Sequence, residues 1–190
     1  MHESNYHKIF WGLIFNFVNI NIGPLDILPN LIGFSLILSG LDGLSSLHSS
    51  FQKGKLPAFI LLLTSIADFF IAKVNFLNGP LPPDAFGSLI YGGFCQLLFL
   101  YLIYCLCNGI CFDAENKKAD ALRESSRIRW KAYLYTSAFT LFYIPFLINL
   151  PEAWMTLYSA AVIINMIAML FIIGLVGTAR KELMGEPEEE

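Results

Sequence analysis

The chain has 190 residues, 56% of them hydrophobic and only 14% charged, with a formal net charge of -3. A soluble domain carries roughly 25% charged residues, so this is a membrane composition. It also excludes a nucleic-acid binder, because no basic face is present.

The first apolar run follows "MHESNYHK", without the basic n-region or small-residue cleavage site of a signal peptide. Residues 9–47 would form a helix of roughly 58 Å, too long for one crossing of a core about 30 Å thick and enough for two. The stretch "GPLDILP" divides them. Gly23 and Pro24 stop the first helix, Asp26 suits the N-cap of the second, and Pro29 falls in its first turn, where a missing N–H costs nothing. The expected helices are 6–22 and 27–47. Asp26 has a second use, as a cation- or proton-binding carboxylate in a vestibule. A re-entrant loop over 9–47 is the alternative to two crossings.

Four further segments are long and apolar enough to span: 56–77, 86–112, 131–150 and 153–178. Between them, 113–130 reads as a solvated cytoplasmic loop whose "RIRWK" end approaches the interface, and 179–190 reads as an acidic tail. Six spans make a prediction about charge, since basic residues gather on the cytoplasmic side. Eleven of the 12 Lys and Arg lie in the N-terminus, the second and fourth loops and the C-terminus, while the opposite turns "GPLDILP", "NGPLPPDA" and "NLPE" hold none. The exception, Lys73, is close enough to a helix end to snorkel. Both termini are therefore expected in the cytoplasm.

Polar residues within the spans are the candidates for chemistry, because the bilayer makes them costly. Ser35, Ser39, Asp42 and Gly43 line one face of the second helix, a face expected to turn toward protein. Thr64, Asp68, Ala72 and Asn75 repeat the pattern on the third, and Ser88, Gly92 and Gln96 on the fourth. Counting rise per residue puts Asp68, Gln96, Asn16 and Asn165 near the midplane and Asp42 nearer the cytoplasm. Together these five define a candidate polar cavity, with Asp68 as a proton- or cation-binding carboxylate. The alternative is helix glue, in which small residues allow close approach and amides bond across interfaces.

Cys95, Cys105, Cys107 and Cys111 share one apolar segment without a histidine, which falls short of a structural zinc set of about four ligands. His2, His7 and His48 form no metal spacing, and no nucleophile elbow, P-loop, zinc-protease or dinucleotide signature occurs. No metal, cofactor or catalytic residue is expected.

The run "PLDILPNLIGFSLILSGLDGL" resembles an element of small polytopic membrane proteins of Gram-positive bacteria, in which D-x-L-P-[DN]-x-x-G opens an apolar helix. The matching positions are Asp26, Leu28, Pro29, Asn30 and Gly33. The resemblance implies a bacterial plasma-membrane protein of unassigned activity and carries no catalytic residue. The expectation is an all-α polytopic membrane bundle: six transmembrane helices in three hairpins, both termini inside. It would serve as a small transport or permeation module for a solute or ion, or as an accessory subunit packing against another membrane protein.

Overall fold

A computed structural model describes residues 2–18, 27–67, 86–149 and 152–184. Among them the chain is all helical: α1 (His2–Val18), α2 (Ile27–Leu44), α3 (Ser49–Ala67), α4 (Phe86–Asn116), α5 (Asp120–Tyr143) and α6 (Glu152–Met184), with a 3-10 segment, Ile144–Asn149, after α5. Pro145 explains that segment, since it has no N–H for the next i→i−4 bond and its ring crowds the preceding turn.

Each helix packs against the next and α1 closes on α6, so the six form an up-and-down ring. Cross-helix contacts show the antiparallel register. Thr64 meets Tyr91 and Ser50 meets Asn108 between α3 and α4, and Arg129 meets Phe171 and Thr136 meets Asn165 between α5 and α6. The buried core includes Ile9, Leu13, Ile37, Leu41, Phe51, Leu102, Leu106, Ile172 and Val176, drawn from α1, α2, α3, α4 and α6.

Two of the helices, over Phe86–Asn116 and Trp154–Leu183, are long and apolar enough to cross a membrane, with mean hydropathies of 1.9 and 2.6. The other four do not reach that standard over their described residues, so two crossings and not six are carried by length and composition alone. In α5 the reason is its polar first half. In α2 the apolar stretch is the shorter Asn30–Leu44.

Several helix boundaries differ from expectation, the starts of α3 and α5 and the end of α6 by six residues or more. The segment 113–130 is helical except at Lys117, Lys118 and Ala119, because its inward positions are too sparse and too mixed in polarity for a hydropathy signal yet spaced for one buried face: Leu122 and Ser126, continued by Tyr133, are all buried. The break after α4 is a complete Schellman turn, in which Ala119 N–H donates to Ala114 O at 2.8 Å and Lys118 N–H to Glu115 O at 3.2 Å. Lys118 takes φ 58° there, a conformation that costs a side-chain-bearing residue about 1–2 kcal/mol. Lys118→Gly is therefore expected to stabilise the fold by about 1 kcal/mol, read as a higher unfolding midpoint in detergent.

The third helix starts seven residues early, at Ser49, and carries Pro57 in its interior rather than at its start. His48 provides the cap: its Nδ1 accepts the Ser50 N–H at 3.2 Å, and its ring stacks on Phe112 at 4.0 Å. The sixth helix continues to Met184, so Arg180 and Lys181 belong to it and not to a tail.

Candidate functional site

A cavity of about 260 Å³ opens between α1, α2, α3 and α4, with Met169 of α6 at one side. Its polar lining comes from Asn16, Asn30, Thr64, Ser65 and Gln96, and its apolar walls include Phe34 and Phe99. Gln96 lies ten residues into α4, or about 15 Å, and Asn30 only three residues into α2, or about 5 Å. The cavity therefore occupies the half of the bundle opposite the lysines and arginines.

Helix geometry accounts for the convergence. Thr64 and Ser65 both turn their hydroxyls onto Leu61 O, at 2.9 and 2.8 Å, which satisfies them within their own helix. Tyr91 of α4 donates to Thr64 O at 3.1 Å and ties the cavity's α3 and α4 walls together. Among the described residues Asn16 has no such partner: both its amide nitrogen and its oxygen are buried without a hydrogen bond. The Arg123 Nε is the other buried side-chain atom in this condition among the described residues, and an unsatisfied buried amide costs about 1–3 kcal/mol.

Asn16 is held there by an especially close helix pair. A Cβ on Gly33 would overlap Asn16 Oδ1 and stand 2.8 Å from Gly12 O, and a Cβ on Gly12 would stand 2.6 Å from Gly33 O. Backbone therefore meets backbone where α1 crosses α2. Gly33 closes the D-x-L-P-[DN]-x-x-G element, and its place here is to admit the Asn16 amide.

Of the five expected cavity residues, Asn16 and Gln96 line this cavity. Asp42 does not. Its side chain is 67% exposed and pairs with Lys55 of α3. Ser35 and Ser39 are exposed as well, so of the stripe expected to face protein only Gly43 does, against Asn5 of α1, and α2 buries Gly33, Phe34, Ile37, Gly40 and Leu41 instead. The stripe was chosen for polarity, whereas the packing face is set by where the glycines permit contact.

Asn165 also lies elsewhere, in the α5–α6 seam, where its amide donates to Thr136 Oγ1 at 2.9 Å and Ser137 Oγ at 2.8 Å. This is interhelical glue of the kind expected between membrane helices. Asp68, Lys73, Pro24 and Asp26 fall outside the described residues. Pro29 is the third residue of α2 and so sits in its first turn.

Sequence reasoning missed Asn30, a cavity residue hidden inside the "PN" step of the turn motif, and it missed the basic-end polar core. There Tyr6, fully buried, donates to Asp113 Oδ2 at 3.1 Å, and Asp113 is itself only 5% exposed. Asn108 donates to Ser50 Oγ at 2.7 Å, and Ser126 to Cys107 O at 2.8 Å. Cys105 and Cys107 are buried and Cys111 half-buried. Among the described residues no three His, Cys, Asp or Glu side chains converge as a metal site would require. Comparison with protein-family models, with curated proteins and with solved structures finds no match for this chain.

Proposed function

We propose that this is an integral protein of the plasma membrane, with its six helices in the bilayer and both termini cytoplasmic, and that it is a small transport or permeation module. Support for the membrane comes from exposed apolar surface. On α6 Ile163, Ile164, Ile167, Leu170 and Phe171 are all exposed, as are Ile90, Phe94 and Leu97 on α4, a band far larger than a soluble monomer leaves to water. The gathering of 11 of the 12 Lys and Arg in the segments expected on one side, Lys73 being the exception, supports the orientation.

The observation that carries the transport reading is the polar cavity with its unpartnered Asn16 amide. A solute with hydroxyl, amide or amine groups would satisfy that amide on its way through. Asp68, which lies outside the described residues, is the carboxyl assigned to a proton or cation.

The test is flux into proteoliposomes, with pyranine reporting protons and light scattering reporting glycerol and urea. Gly92 is the position to change, because it lines the cavity and a Cβ there meets nothing within 4 Å. Gly92→Leu should obstruct the cavity without moving backbone and reduce flux, with an unchanged unfolding midpoint. Asp68→Asn should abolish the proton component. Flux equal to that of empty liposomes for the parent protein, or unaltered by Gly92→Leu, would sink the reading.

The exposed polar edge of α2, Ser35 with Ser39 bonded to Lys8 and Asp42 paired with Lys55, favours a second reading, an accessory subunit, because polar groups facing lipid are costly and a partner helix would cover them. Mild-detergent purification would then yield a stoichiometric membrane partner that Ser35→Leu with Ser39→Leu releases. A lone monodisperse monomer would count against it.

A further inference from the structure

We propose that the groove between α1 and α6 at the basic end binds the phosphate of an anionic phospholipid. The inference rests on the membrane reading above, which places the end of the α6 apolar run at the lipid headgroups. The groove has a volume of about 430 Å³ and is lined by Phe10, Gly174, Gly177, Thr178, Arg180, Lys181 and Glu182.

Its two ends differ in chemistry. Toward the membrane interior, Gly174 and Gly177 lack side chains, and Phe10 stands beside them, with its ring 3.3 Å from where a Cβ on Gly177 would lie. The result is a trough floored by glycine and walled by the Phe10 ring, assigned to the upper acyl chain. Toward the basic end, Arg180 and Lys181 provide the cationic pair that phosphate recognition needs, the guanidinium as a planar fork and the ammonium as a point charge. Arg129 adds a third cation, reaching across from α5 to donate to Phe171 O at 3.0 Å, with Nη1 3.5 Å from the Cβ position of Gly174. Glu182 is the one acidic group in the lining, so the balance of these four charges is positive.

His7 supplies an independent observation. Its Nδ1 lies 2.7 Å from Arg180 Nη1, and its Nε2 lies 3.1 Å from Trp11 Nε1. Guanidinium and indole N–H groups can only donate, while a neutral imidazole has one acceptor nitrogen and an imidazolium has none. One of the two donors is therefore always left over. A phosphate oxygen in the groove mouth resolves the conflict by drawing Arg180 off His7 and accepting from both the guanidinium and the His7 Nδ1–H, which leaves Nε2 to accept from Trp11. Trp11, 42% exposed, then sits where interfacial tryptophans sit.

Native mass spectrometry of the full chain in detergent tests this, with phosphatidylglycerol and phosphatidylcholine of identical acyl chains as probes. The expected result is one retained phosphatidylglycerol and a clear preference over phosphatidylcholine. Arg180→Gln with Lys181→Gln should weaken it roughly 30-fold, while Lys53→Gln with Lys118→Gln, an equal loss of charge elsewhere, should change it less than twofold. Gly177→Leu, which fills the trough and keeps both charges, should also expel the lipid. Equal weakening by both charge pairs, or no headgroup preference, would overturn the site. Inorganic phosphate that binds alone and is insensitive to Gly177→Leu would overturn the lipid assignment in favour of a soluble anion. An alkaline carbonate wash of cell membranes keeps the two readings apart: a washed-out protein defeats the membrane reading and the lipid site with it, whereas a retained protein without headgroup preference defeats the lipid site alone.

Discussion

Gly12→Leu should prevent the α1–α2 pair from closing and cost the fold about 3 kcal/mol or more, the upper end of the overpacking range. The reason is what the new side chain would strike. A Cβ at position 12 would stand 2.6 Å from Gly33 O and 2.7 Å from Ile37 Cγ1, and the first of these is backbone, which cannot rotate away. The two helices would have to separate along their length. That would also remove the wall that holds Asn16 beside the cavity, so a loss of flux should accompany the loss of stability. Gly87→Ala is the matched control, because a Cβ there meets nothing within 4 Å and alanine in a helix is better than glycine by about 0.5–1 kcal/mol. Denaturant unfolding in detergent should show a large fall for the first and none for the second. Equal behaviour of the two variants would show that close backbone approach does not hold the pair.

Tyr6→Phe should be the second most damaging change, lowering stability by about 2 kcal/mol although it removes a single oxygen. The Tyr6 hydroxyl donates to Asp113 Oδ2 at 3.1 Å across 107 residues of sequence, and both side chains are buried. Removing the donor leaves a buried carboxyl oxygen without that partner, and the cost of an unsatisfied polar atom exceeds the value of the bond itself. Asp113→Leu combined with Tyr6→Phe removes both partners, and the double variant should therefore recover much of the stability lost by Tyr6→Phe alone. A double-mutant cycle over the two sites measures the coupling. Strictly additive losses would refute a specific Tyr6–Asp113 interaction and reduce Tyr6 to a core ring packed edge-on against Phe51 at 6.3 Å.

Legibility in the sequence followed the length scale of each signal. The apolar runs of α4 and α6 were evident because their signal repeats over more than 20 residues, and their described bounds lie within a few positions of those expected. The start of α5 was not, since one buried face spaced at Leu122, Ser126 and Tyr133 raises mean hydropathy very little. Asn16 and Gln96 were identified as cavity residues from their depth along the helices. Asp42 and Asn165 passed the same test and lie elsewhere, because depth fixes a level in the bundle and says nothing of which way a helix is turned. The Asp42 carboxyl found Lys55 on the exposed side, and the Asn165 amide found two hydroxyls in a seam.

By itself, the sequence determined that the chain is helical and strongly apolar, that its basic residues gather at one end, and where prolines and glycines interrupt the helices. These are local properties, decided by side-chain polarity and backbone freedom within a turn or two. Only the tertiary structure decided which face of each helix is buried, that Gly12 and Gly33 meet, and that Asn16, Asn30 and Gln96 share one cavity while Arg180 and Lys181 share a groove with Phe10. The physical reason is that a helix offers several faces of similar polarity. The choice among them is made by the fit of backbone to backbone, which depends on residues far apart in the chain.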